Sequence, residues 1–226
     1  MLDILFRDKH LIAINKPHDL LVHRSPIAAD AAEFALQLLR DQVGQKVYPV
    51  HRIDRKTGGV LLFAFNKPIE IEMQKQFADN LVGKKYLAIL RGHTPDNGEI
   101  DYPLRKENGV LQDAFTNYHT LNRAELDVSF GKHATSRYSL VEATPKTGRM
   151  HQLRKHFAHI FHPIIGDRTH GCNKQNKLFT EKWEMNTMLL HASSLTFNHP
   201  VSNETIIIEA ALQQEFIRMM KLMGWD

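Results

Sequence analysis

Apolar and polar positions divide this chain into short, well-marked segments. LDILFRDKHLIAINKP, residues 2–17, reads as two strands around the polar turn Arg7 to His10, with Pro17 closing the second. Asp30, followed by Glu33, is an N-cap signal for a helix through AAEFALQLLRDQV that Gly44 ends. In that helix Ala35, Leu39 and Val43 fall four apart and define one packed face. A strand through VYPVHRID leads to a turn at Lys56-Thr57-Gly58-Gly59, and VLLFAF follows as an apolar run buried on both faces. Asn66 and Pro68 open a second helix, in which Ile69, Met73, Phe77 and Leu81 repeat every four residues. KKYLAILRG then alternates as a strand.

From about Thr94 to Lys132 the pattern is of strand-like pieces broken by DNGE, KENG and other polar turns. SRYSLVEATP is a further strand, and TGRMHQLRKHFAHIF reads as a helix that stops before Pro163. MLLHASSLTFNHP and NETIIIEA read as paired strands around HPVSNE. A last amphipathic helix carries Leu212, Phe216, Met219 or Met220, and Met223. No repeat, low-complexity linker or composition break interrupts residues 1–226, so the expectation is a single α+β domain built on a mixed sheet.

Composition narrows the class without naming a function. At 226 residues, 42% hydrophobic and 24% charged, the chain has the make-up of an ordinary globular protein. No apolar run reaches membrane-spanning length, and MLDILFRDKH brings acid too early for a secretory signal. The single cysteine, Cys172, excludes an internal disulfide and fits a reducing cytoplasm. A net charge of +4 is mild, so its placement matters more than its size. PKTGRMHQLRK gathers Lys146, Arg149, Arg154 and Lys155 with no acid among them, a density suited to a polyanion partner. A solvated basic face is the plainer account of such a run.

The chemistry concentrates in HRIDRKTGGVLLF, residues 51–63. Arg52 and Asp54 are two apart and share a face of an extended backbone, and Arg55 adds a second cation beside the carboxylate. A turn aspartate with a surface ion pair explains the segment taken alone. The sharper reading is a working carboxylate, held ionised by positive neighbours at a strand end. A buried arginine needs a carboxylate partner, and Asp54 is a candidate partner for Arg154. Alone, Arg149 and Arg154 serve equally well as phosphate contacts.

The segments HRIDRKTGGVLL, KKYLAILRG, TGRMHQLRKHFAHIFHPIIGD and LLHASSLTFNHP, in this order and with INKP and DAFTNY, resemble the RluA-type pseudouridine synthases over nearly the whole chain. The pieces are individually weak and jointly specific. LLVHRS and GDRTHGCNKQN look most like members that isomerise uridine 65 in the T-stem of tRNA. The resemblance implies a mixed, mostly antiparallel, bifurcated sheet flanked by helices, with an active cleft across it and no separate RNA-binding domain. It makes Asp54 the catalytic aspartate, Tyr86 the residue that stacks on the target base, and Arg154 the arginine paired with the aspartate. Arg52 matches a residue that replaces the flipped nucleotide, while Arg55, Lys146, Arg149 and Lys155 remain candidate RNA contacts. Lys56, Gly58 and a short middle segment around residues 104–122 depart from the family pattern.

Converting uridine to pseudouridine breaks the N1–C1′ bond, turns the base and rebonds it through C5, with no redox change. An ionised carboxylate can add to the base, attack the sugar or remove a sugar proton. The reaction calls for no metal, nucleotide or redox cofactor, and the expected enzyme is a cytoplasmic monomer acting on tRNA. A non-catalytic RNA-binding module is the main rival. His151, His156, His159 and His162 raise a zinc reading, but no cysteine or carboxylate completes a ligand set. His191 reads as a core histidine, and Tyr86, without the family match, as an ordinary core aromatic.

Overall fold

A computed structural model describes residues 1–23 and 33–225. In chain order the elements are β1 (Asp3–Arg7), β2 (Leu11–Lys16), α1 (Ala35–Val43), β3 (Tyr48–Pro49), β4 (Gly58–Ala64), α2 (Lys67–Ala78) and β5 (Gly83–Arg91). There follow β6 (Asn97–Asp101), β7 (Leu104–Arg105), β8 (Leu111–Gln112), β9 (Phe115–Leu126), β10 (Ser136–Pro145) and α3 (Gln152–His159). The chain ends with α4 (Asn173–Trp183), β11 (Leu190–Asn198), β12 (Thr205–Glu209) and α5 (Gln214–Leu222). The fold is α+β, with one large, mostly antiparallel sheet; β7 and β8 form a separate hairpin. Two compact units emerge, residues 1–84 with 192–212, and residues 85–191 with 213–226.

In the first unit the strand order is β1-β2-β4-β11, with β3 on β4 and β12 on β11. β2 and β4 pair antiparallel, Leu11 opposite Ala64 and Lys16 opposite Gly59. Their period of two sorts the apolar side chains onto two faces. Leu11, Ala13, Val60, Leu62 and Ala64 pack with Met73, Ile69 and Phe77 of α2. Ile12, Ile14, Leu61 and Phe63 pack with Ala35 and Leu39 of α1. β4 is therefore buried along its whole length, as its apolar run requires.

Local differences from the sequence reading have local causes. The Asp30 cap lies outside the described residues; α1 ends at Gly44 as its sequence implies. In α2 the Asn66 side chain accepts the Ile69 N–H at 3.1 Å, but Asn80 turns left-handed, and Leu81 falls beyond the helix, 64% exposed. The strand expected through VYPVHRID shrinks to Tyr48–Pro49. His51 takes the Leu62 N–H on its ring Nε2 at 3.0 Å, and Thr57 closes a turn onto the Asp54 carbonyl at 3.0 Å. Arg52 and Asp54 thus lie in a loop rather than on one strand face.

In the second unit the order is β5-β10-β9-β6, all antiparallel. Ala88, Leu90, Val141 and Ala143 pack against Leu153 and Phe157 of α3. The strand pieces expected from about Thr94 to Lys132 are β6 to β9, with KENG turning between β7 and β8; DNGE, read as a turn, lies mostly in β6, and β9 runs on for 12 residues. The α3 helix starts only at Gln152, because His151 is left-handed (φ 57°). Its C-terminus is closed by Phe161, also left-handed, before Pro163. α4 had no sequence signal: only Gln175 and Phe179 are buried in it, too sparse an apolar set to show a period.

Candidate active site

In the first unit, Asp54 occupies the loop between β3 and β4, partly exposed, on a backbone tied at several points. Ile53 and Thr57 on either side are buried. His51 stacks on Phe77 with ring centroids 4.7 Å apart, and burial drives its pKa down to about 3, so it is a neutral acceptor. The loop's other anchor is Lys16, fully buried at the end of β2. Its ammonium donates to the carbonyls of Pro17 (2.8 Å), Leu20 (2.9 Å) and Arg55 (3.0 Å). Burial pushes the Lys16 pKa down to about 7, against the upward pull of Asp19 and Asp54. Arg55 is exposed but fixed, its Nε donating to the Asp19 carbonyl at 3.0 Å. Arg52 is exposed. Gly58, which departs from the family pattern, is the first residue of β4 and buried, so it belongs to the sheet rather than the turn.

In the second unit, Tyr86 is partly buried on β5, opposite Ala143 of β10, against the cluster that includes Leu153 and Phe157. Arg154 projects from α3 and is almost fully buried. Its Nε and one terminal nitrogen donate to the two carboxylate oxygens of Asp167, each at 2.8 Å. Asp167, 1% exposed, also accepts the backbone N–H groups of Thr169 (2.9 Å) and His170 (3.1 Å). Burial alone would raise its pKa, but the hydrogen bonds from Arg154, His170 and Thr169 outweigh it, and the carboxyl is held below its ordinary value. Lys146 stands over the Phe115 ring at 4.4 Å, and Arg149 Nε donates to the Asp113 carbonyl at 3.0 Å. These two cations therefore gather at the DAF segment, while Lys155 lies on α3 beside Arg154.

The histidines that raised a zinc reading have separate occupations. His151 Nδ1 meets His170 Nε2 at 3.0 Å. His156 bonds Thr116 Oγ1 and the Tyr102 carbonyl, both at 3.0 Å, and burial lowers its pKa. His159 stacks on Tyr102, and His162 meets the Arg91 carbonyl. His191 is fully buried, its ring 6.4 Å from that of Phe216.

The family model described as RNA pseudouridylate synthase matches residues 10–159. The chain belongs to that family. Similar proteins over the whole chain carry the name tRNA pseudouridine synthase C, among them those of Haemophilus ducreyi and Vibrio cholerae. That of Haemophilus ducreyi is 48% identical, with 99% of this chain and 96% of the relative covered. The Vibrio cholerae protein is 43% identical, with 100% and 97% covered. Among solved structures, human RNA pseudouridylate synthase domain containing 4 superposes with a TM-score of 0.75 at 25% identity, covering 98% of this chain and 93% of that one. Human domain containing 1 shares the fold, with a TM-score of 0.75 at 22% identity over 99% and 95% of the two chains.

As an RNA pseudouridylate synthase the protein is an isomerase, and Asp54, Tyr86 and Arg154 all fall within the matched residues. Sequence reasoning passed over two residues, Lys16 and Asp167, that bond to the Asp54 loop and to Arg154. Lys16 was visible only as part of INKP, and nothing in that tetrapeptide says its ammonium is buried beneath the Asp54 loop. Asp167 sat in GDRTH, 13 residues beyond its arginine, in a segment with no helical or strand signal.

Proposed function

We propose that the protein isomerises uridine to pseudouridine in tRNA, at uridine 65 of the T-stem, with Asp54 as the reacting carboxylate. The observation that carries the reading is near-full-length identity of 48% to a tRNA pseudouridine synthase C, with an aspartate held on a pinned loop. The base leaves C1′ through N1, turns and returns through C5; C5 gives up a proton and N1 gains one, so the product is an isomer. A paired base must first be flipped out, which costs a few kcal/mol. Stacking on the Tyr86 ring returns about 1–3 kcal/mol of that cost. Arg154, held rigid by Asp167, supplies a fixed positive charge, and Arg52 fills the place of the flipped nucleotide. Arg55, Lys146, Arg149 and Lys155 hold the backbone.

The test is base analysis of T-stem tRNA treated with purified protein and with Asp54→Asn, which keeps the shape of the side chain and removes its charge. Pseudouridine at position 65 should form with the natural protein alone, while both bind the tRNA. Turnover by Asp54→Asn near the natural rate would remove Asp54 from the chemistry. Pseudouridine appearing elsewhere would move the target but not the reaction.

A further inference from the structure

A basic cleft lies in the unit that carries Tyr86 and Arg154. It holds about 460 Å³ and is lined by Arg91, Phe130, Lys132, His133, Arg137 and Gln175 among others, with no acidic side chain in its wall among the described residues. Its geometry follows from the turn joining β9 to β10. Phe130 and His133 exchange backbone hydrogen bonds of 2.9 and 3.1 Å, a closure that Gly131 permits by turning left-handed (φ 62°). The turn presents Lys132 at its tip and lays Phe130 beneath the Arg91 guanidinium, 5.4 Å from the ring centroid.

The charges are not balanced locally. Glu125 accepts the Thr135 hydroxyl and Arg137 Nε, the latter at 3.1 Å, and these bonds, the hydroxyl's first, hold its carboxyl below the ordinary range. That neutralises Arg137 only. Among the described residues the side chains of Arg91 and Lys132 meet no carboxylate and make no hydrogen bond; the cation–ring contact is what orients Arg91. A guanidinium held near an aromatic ring by a cation–π contact loses less freedom when it binds an oxyanion. Beside it the exposed turn lysine adds a mobile second charge, and the half-buried Phe130 offers an apolar surface for a sugar.

We infer that this cleft is an accessory site for the RNA backbone, taking phosphate oxygens on Arg91 and Lys132 away from the reacting nucleotide. The inference rests on the RNA substrate proposed above and adds a contact to it. Arg91 lies five residues along β5 from Tyr86, about 17 Å at strand rise, and an odd separation sends the two side chains to opposite faces. The RNA that reaches the cleft is therefore a different stretch from the one stacked on Tyr86.

The experiment measures tRNA dissociation constants over a salt series, with single-turnover pseudouridine formation at saturating tRNA, for the natural protein, Arg91→Lys, and the double variant Arg91→Gln/Lys132→Gln. Each lost phosphate contact should reduce the log–log salt slope by about 0.7–0.9, so the double variant loses about 1.4–1.8. Its saturated rate should stay unchanged, and Arg91→Lys should keep most of the slope. An unaltered slope and affinity in the double variant, beside active natural protein, would overturn the inference. So would a slope lost equally in Arg91→Lys, since charge would not then be the cause. If the natural protein makes no pseudouridine yet loses slope in the double variant, the accessory site stands and the proposed reaction fails.

Discussion

Arg154 and Asp167 form a buried pair in which both carboxylate oxygens are engaged. Removing Arg154 leaves a buried Asp167 carboxylate with only the Thr169 and His170 N–H groups, among the described residues, to compensate it, and breaking a buried pair costs about 3–5 kcal/mol. Arg154→Gln should therefore lower unfolding stability in urea by that amount at neutral pH, as well as slow turnover. Arg154→Lys should recover only part, because an ammonium cannot bond both oxygens in the same plane. The sign of the pH dependence follows from the depressed Asp167 pKa. Its stabilising contribution is complete above the ordinary value of 3.8 and is lost as pH falls through the lower folded value. Urea titrations of the natural protein and Arg154→Gln should thus converge in strong acid. Lys16 works in the opposite sense of charge. Its folded pKa of about 7 lies below the ordinary 10.5, so the penalty of burying the ammonium is fully present below pH 7 and relieved as pH rises toward 10.5. Between pH 7 and 9 the natural protein should gain stability relative to Lys16→Met, measured by urea unfolding at each pH. A constant difference would mean that Lys16 keeps its proton.

At the scale of elements, β4 is held where it is by backbone contact as much as by side chains. Gly59 has φ 109°, and a Cβ built on it would come within 2.1 Å of the Ala192 carbonyl oxygen on β11. No rotamer change relieves a clash with backbone. Gly59→Ala should cost at least the 1–3 kcal/mol or so of an overpacked core site. It should also disturb the Asp54 loop, which enters β4 one residue earlier at Gly58. Gly109, at the open tip of the β7–β8 hairpin, meets nothing within 4 Å. There Ala brings only left-handed strain of about 1–2 kcal/mol. Chemical denaturation of the two variants, with single-turnover rates, should rank Gly59→Ala as far the more harmful on both counts.

For the whole molecule, a net charge of +4 understates how the cations are distributed. Lys146 and Arg149 gather at the DAF segment, Lys155 sits on α3, and Arg91 with Lys132 line a separate cleft. Affinity for tRNA should fall steeply with salt, and Lys155→Gln should flatten the log–log slope by up to about 0.9 if it meets a phosphate on a duplex. Dialysis against a strong chelator should leave pseudouridine formation intact; recovery only on adding zinc would return the histidines to the chemistry.

The sequence by itself determined the segments and the family. The polar turn before LIAINK with Pro17 after it, and the unbroken run VLLFAF, fixed strands, and Asn66 with Pro68 fixed a helix start, because these signals act within a few residues. HRID, KKY and HQLR marked the site candidates for the same reason: spacing along the chain is a local quantity. The tertiary structure alone decided where extended-looking stretches stop being strands. His51 replaces a strand carbonyl as acceptor for Leu62, and the Thr57 turn bends the chain at Asp54. It alone decided that Lys16 is buried beneath that loop, that Asp167 holds Arg154, and that Arg91 rests on Phe130. Each of these joins residues 13 to 39 positions apart through burial and directional hydrogen bonds or ring contacts. Such partnerships leave no periodic trace in the sequence, and only packing brings them together.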